Sequence, residues 1–136
     1  MKIGAVGFGN RIAHVYFELK QINPEVEMIS FVDPQPIGKK FAESKKIYPS
    51  KEYKNLHEML KNEKLDLLMI GSPNHLHLEH IKIGLNAGIK IFAEKPIVID
   101  EMQSFELAKL LGEFGQDQVL VGLVLRYSQH ARSVRD

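Results

Sequence analysis

The sequence contains no cysteine, which removes disulfides, thiolate nucleophiles and thiolate metal sites together and fits a reducing compartment. Net charge is nearly absent as well: 18 Lys and Arg stand against 17 Asp and Glu, a formal +1. The broad positive field that non-specific nucleic-acid binding requires is therefore missing. No apolar run reaches the roughly eighteen residues of a membrane span, and the longest, Ile29 to Val32 and Val119 to Leu125, have strand length. The opening Met-Lys-Ile-Gly-Ala-Val-Gly is short, broken by glycine and followed by Asn10 and Arg11, so it does not read as a signal peptide. These absences lead to the expectation of a cytoplasmic protein with neither nucleic acid nor membrane as partner. What is present is an ordinary globular composition of 136 residues, 44% hydrophobic and 26% charged, enough for one core.

Along the chain, apolar strands alternate with helical faces. Ile3 to Val6 ends at Gly7, and Ile12, Val15, Tyr16 and Leu19 follow at helical spacing. Val26 to Val32 reads as a second strand closed by Asp33-Pro34, and Ile37 with Phe41 as a short helix. Lys46 to Pro49 has the form of a brief edge strand guarded by lysines. Leu56, Met59 and Leu60 mark a helix, Leu65 to Ile70 a strand, and His77 to Ala87 a helix with Leu78, Ile81 and Leu85 inward and Gly88 as its stop. After the strand Lys90 to Ala93, a helix is expected from Asp100 to Gly112 with Phe105, Ala108 and Leu111 inward, then a strand from Gln118 to Leu125. Ser128, Ala131 and Val134 would begin one more helix. Buried strands joined by helices imply an α/β fold with a doubly wound parallel sheet of about six strands in one domain, a Rossmann fold.

Three segments carry chemistry. Gly7-Phe8-Gly9-Asn10-Arg11-Ile12 lies between the first strand and its helix, where backbone amides at a helix N-terminus can hold a pyrophosphate. Ile12 occupies the position where close strand–helix packing normally favours Gly or Ala. Asp33 stands at the end of the next strand, placed to accept from an adenosine ribose and to repel a 2′-phosphate, which favours NAD over NADP. As an isolated residue it equally fits a turn cap before Pro34. Glu94-Lys95-Pro96 follows a strand on the edge where doubly wound sheets bind ligands; Lys95 is either a proton-handling lysine or a solvated turn residue.

Together with Val32-Asp33-Pro34, Ser72-Pro73-Asn74-His75-Leu76-His77 and Val121-Gly122-Leu123-Val124-Leu125-Arg126-Tyr127, these segments follow the order and spacing of one family. The chain resembles the N-terminal, NAD-binding part of the glucose-fructose oxidoreductase and inositol dehydrogenase (Gfo/Idh/MocA) family. By that resemblance, Gly7, Phe8, Gly9, Asn10, Arg11 and Ile12 form the pyrophosphate turn and Asp33 the ribose contact. Ser72, Pro73, Asn74 and His77 form the loop beside the cofactor. Glu94 contacts cofactor and substrate, and Lys95 binds substrate and moves its proton. The resemblance implies a dinucleotide-binding domain over residues 1–125 and, over 126–136, the start of a connection to a second α/β substrate domain. That second domain would bring the remaining substrate contacts, a frequent catalytic histidine and much of the oligomer interface; His130 does not match that histidine.

The expected activity is hydride transfer between NAD and a secondary alcohol of a sugar, cyclitol or related polyol, in a homo-oligomer, with the 136 residues alone inactive. A non-catalytic nucleotide-binding or redox-sensing module is the alternative. A methyltransferase also uses a glycine turn and an acid after the second strand, but leaves Glu94-Lys95-Pro96 without a role. His75, His77 and His80 do not present a helix-face pair with an acidic partner, so no metal site is assigned. The lysines from Lys39 to Lys54 are interrupted by Glu43 and Glu52 and read as a solvated face.

Overall fold

A computed structural model describes residues 1–123. Its elements are β1 (Lys2–Val6), α1 (Asn10–Ile22), β2 (Glu27–Val32), α2 (Lys39–Ser44), β3 (Lys51–Glu52), α3 (Leu56–Asn62), β4 (Leu67–Ile70), α4 (His77–Asn86), β5 (Lys90–Ala93), α5 (Glu101–Phe114) and β6 (Val119–Val121), with single 3-10 turns at Asn74–Leu76 and Gln116–Gln118. All six strands are parallel, in the order β3-β2-β1-β4-β5-β6. The order reverses between β1 and β4, and ligand crevices of open α/β sheets form at such a reversal. No helix among the described residues is long and apolar enough to cross a membrane.

The two-residue period of the strands sorts the core into two layers. Ile3, Ala5, Phe31 and Met69 pack on Ile12, Ala13 and Tyr16 of α1 and Ala42 of α2. On the other side, Leu68, Ile70, Ile91 and Ala93 meet Met59 of α3, Leu78, Ile81 and Leu85 of α4, and Leu107 and Leu110 of α5. Where the register of β1 on β2 shifts between Ile3 and Gly4, the Met28 amide donates to the buried Tyr16 hydroxyl at 2.9 Å. A side chain of the covering helix thus satisfies a donor beside that irregularity.

Four expectations are corrected. The edge strand is Lys51–Glu52, paired with Ser30 and Phe31, and not Lys46 to Pro49. Lys46 adopts a left-handed φ of 56°, the Ile47 amide closes back on Ala42 at 2.9 Å, and Tyr48 turns its ring onto Phe8 and Phe31, so that apolar stretch packs as a loop. Ile37 precedes α2 and is exposed. The inward face of α5 is Leu107, Leu110 and, in part, Leu111 and Phe114, whereas Phe105 is 69% exposed and Ala108 also faces out. Spacings of three and four from Leu107 satisfy the core one helical step out of phase with the expected stripe. Finally, among the described residues β6 covers Val119–Val121, Gln118 belongs to a 3-10 turn, and Leu120 faces out, while the Val124–Leu125 end of the expected strand lies outside them. The expected terminal helix at Ser128, the connection 126–136, Arg126, Tyr127 and His130 lie outside the described residues.

Candidate functional site

The first turn is built by packing as much as by its glycines. Gly7 has φ +81°, and a Cβ there would collide with the Gly71 carbonyl and the Ser72 amide, so the turn after β1 is pressed against the end of β4. The Gly7 amide donates to Val32 O at 2.8 Å and the Phe8 amide to Asp33 Oδ2 at 2.6 Å. The Phe8 ring is fully buried against Phe31 and Tyr48, which leaves only its backbone at the turn. No side chain caps α1 at Gly9, and its first turn carries no acid. Its leading amides and the positive end of its dipole are thus presented to an anion. A Cβ added at Gly9 would meet nothing within 4 Å, so the approach is open.

Ile12, at the position where a small residue is expected, is 1% exposed. The room comes from Gly71, where a Cβ would run into the Ile12 side chain and lie 2.9 Å from Gly7 O. The small residue that lets helix and sheet approach sits on the strand instead of on the helix.

Asp33 serves the turn directly. Its Oδ2 accepts from Phe8 and its Oδ1 from the Gln35 amide at 2.8 Å, while the carboxylate still lines a depression with Val32, Pro34 and Gln35. Carboxylate oxygens have capacity for further bonds, so capping the turn and accepting from a ribose are compatible.

The loop after β4 and the turn after β5 leave adjacent strands and line one depression with the start of α1. Ser72 Oγ meets His80 Nδ1 at 2.9 Å, and His77 Nε2 donates to Ser72 O at 2.7 Å. Burial pushes the His80 imidazole below its ordinary range, with Glu79 opposing and His77 and His57 reinforcing the shift. Asn74 is exposed on the 3-10 turn that leads into α4. The Glu94 amide donates to Ile70 O at 2.9 Å, and Arg11 Nε reaches Glu94 Oε1 at 3.3 Å. Glu94 also packs beside Gly122, where a Cβ would sit 3.0 Å from Oε1. Lys95 precedes a cis peptide to Pro96, and its ammonium has no hydrogen-bond or ion-pair partner among the described residues.

These segments line two open depressions that share Gly9, Gly71 and Ser72. One, of about 450 Å³, adds Arg11, Ile12, Asn74, His77, Glu94 and Lys95; the other, of about 770 Å³, adds Asp33, Ile37, Lys54, Leu56, Leu76 and His80. Their combined size suits an extended cofactor rather than a single small ion. Every expected site residue except Phe8 and Asn10 appears on the lining of one or the other. Ile37, Lys54, Leu56, Leu76 and His80 were not expected; they arrive with α2, α3 and α4 and belong to no compact motif. Gly38 was also missed, and its amide holds Phe8 O at 3.0 Å.

Comparison with known proteins is consistent with this geometry. The family described as "Oxidoreductase family, NAD-binding Rossmann fold" matches residues 1–123. A 1-carboxy-3-chloro-3,4-dihydroxycyclohexa-1,5-diene dehydrogenase of Comamonas testosteroni is 26% identical over 100 residues, 73% of this chain and 24% of that protein. An inositol 2-dehydrogenase of Salmonella paratyphi B is 22% identical over 129 residues, 95% of this chain and 38% of that protein. In fold, the chain superposes with a TM-score of 0.81 on the scyllo-inositol dehydrogenase of Lactobacillus casei with bound NAD(H) and scyllo-inositol, at 23% identity, covering 99% of this chain and 39% of that one. The chain therefore spans about a quarter to two-fifths of the length of these relatives.

Proposed function

The chain belongs to the Gfo/Idh/MocA family of oxidoreductases as its NAD-binding Rossmann domain, and from that premise we propose that the whole protein transfers a hydride between NAD and a secondary alcohol of a sugar, cyclitol or related polyol. The observation that carries this reading is the pair of adjoining depressions that reach from Asp33, past the uncapped start of α1, to Lys95. The amides at Gly9 to Ile12 suit a pyrophosphate, with Arg11 beside them. Asp33 accepts from the adenosine ribose, and its charge disfavours a 2′-phosphate. When bound, the nicotinamide supplies the hydride acceptor or donor. Lys95 binds the reacting hydroxyl and moves its proton, with Glu94 beside it holding ribose or substrate hydroxyls. Ser72, Pro73 and Asn74 floor the groove, and His77 shapes that floor from beneath.

The polyol class is supported by what the relatives' names state: a dihydroxylated ring and an inositol as substrates. The remaining substrate contacts belong in this proposal to chain beyond the domain, so the 136 residues alone bind cofactor without turnover. A homo-oligomer in the cytoplasm completes the reading. The test is reduction of NAD by the whole protein across a panel of inositols, sugars and sugar acids, beside calorimetry of NADH. Turnover of a polyol is the expected result; tight NADH binding with no oxidation of any polyol would instead favour the non-catalytic module.

A further inference from the structure

Two histidines of α4, His77 and His80, hold Ser72 by its carbonyl and its hydroxyl, and His77 does more than that. Its ring is 1% exposed, with Nε2 at 2.7 Å from Ser72 O and Nδ1 at 2.7 Å from Pro96 O. Both partners are backbone carbonyls, which only accept, so the ring is the donor and sits pinned between two acceptors.

The two carbonyls belong to segments that leave neighbouring strands, Ser72 after β4 and Pro96 after β5. Ser72 lies in the loop shared by both depressions, and Pro96 directly follows Lys95. Pro96 has no amide hydrogen with which to secure its own turn. Lys95 is instead flanked by two fixed neighbours: Glu94, whose amide is held by Ile70 O, and Pro96, whose carbonyl is held by His77. The charged and titratable groups around the ring are His80 on its own helix and Arg11, Glu94 and Lys95 along the same depression.

We propose that His77 is a positioning residue: its buried ring, bridging Ser72 O and Pro96 O, ties the Ser72 loop to the turn that carries Lys95, so that the loop and the lysine keep one fixed separation. The purpose of the tie rests on the reading of Lys95 as the proton-handling residue; the tie itself does not. It makes His77 a structural link between the two segments.

Nitrogen-15 NMR of the histidine-labelled chain, with and without NADH, tests the hold directly: a His77 ring N–H protected from solvent exchange is expected, and one that exchanges at the solvent rate would overturn it. Hydrogen exchange on His77→Leu, or on the milder His77→Gln if the first does not fold, should show residues 72–76 and 94–98 loosening together by about ten-fold or more. Loosening of one segment alone, or of neither, contradicts the tie. In the whole protein, His77→Gln should lower kcat about ten- to a hundred-fold, a larger factor than the rise in cofactor KM. An unchanged kcat in the folded variant overturns the positioning role. Normal turnover by Lys95→Ala, measured in parallel, would remove the lysine assignment and with it the purpose of the tie, while the NMR result would still decide the tie itself.

Discussion

Ile12 on α1 and Gly71 at the end of β4 share one volume: the isoleucine side chain fills the space that a Cβ on residue 71 would need. Gly71→Ala should destabilise the domain by about 1–3 kcal/mol through overpacking. Adding Ile12→Ala should recover part of that loss and not all, because the new methyl also lies 2.9 Å from Gly7 O. Urea unfolding of the two single variants and the double measures the coupling. Strictly additive effects would mean that the two residues do not compete for the space.

Asp33 should make NADH bind more tightly than NADPH, by about ten-fold or more given the strength of charge-assisted hydrogen bonds. Its oxygens also cap the Phe8 and Gln35 amides, so Asp33→Ala should both narrow the preference and lower stability. Asp33→Asn keeps an acceptor for one amide and is the better probe. Calorimetry with both cofactors reads the preference; equal affinities in the unaltered chain would reduce Asp33 to a turn cap.

Lys95→Ala in the whole protein should lower kcat severely and leave NADH affinity within a few-fold. Lys95→Arg should not rescue turnover, because a guanidinium does not release its proton near neutral pH and has a different shape. Steady-state kinetics on both variants, paired with NADH titration, decide the matter: near-normal kcat in either returns Lys95 to a solvated turn.

Acid should weaken the fold through His80. Burial holds its folded-state value below the ordinary 6.5, so just beneath 6.5 the unfolded chain binds more protons than the folded one. The stability that neutral His80 contributes is present above that range and fades as pH falls through it. Urea midpoints at pH 7 and at about pH 5.5, above the main carboxylate range, should differ, and His80→Asn should shrink the difference. An equal difference in the variant assigns the acid sensitivity elsewhere.

The strand–helix alternation, the glycine turn and the strand-end positions of Asp33 and Lys95 were legible because each lies in a short local pattern at the end of a strand. The edge strand was misplaced because Ile47 and Tyr48 are apolar for a tertiary reason, packing as a loop on Phe8 and Phe31, which local hydrophobicity cannot separate from strand pairing. The face of α5 was misphased because Phe105 and Ala108 fit a helical stripe as well as Leu107 and Leu110 do, and only the packing on α4 and β5 chooses between them. Ile37, Leu56 and Leu76 in the groove carry no chemistry to mark them. The contacts of His77 were hidden for another reason: its two carbonyl partners are five and nineteen residues away, and backbone acceptors leave no trace in sequence.

The place of β1 at the middle of the sheet sets a timetable for synthesis. Its neighbour β2 is made soon after it, but β4, which covers its other edge from Ile3↔Leu67 to Val6↔Ile70, lies 64 residues further along. At about 5–20 residues per second a ribosome needs several seconds to deliver that partner. Through that interval a strand as apolar as Ile3 to Val6 offers one unpaired side to whatever it meets. Nascent-chain exposure is therefore greatest for the strand that ends up best protected, and slowing translation between residues 33 and 66 should lengthen the window in which chaperones bind it.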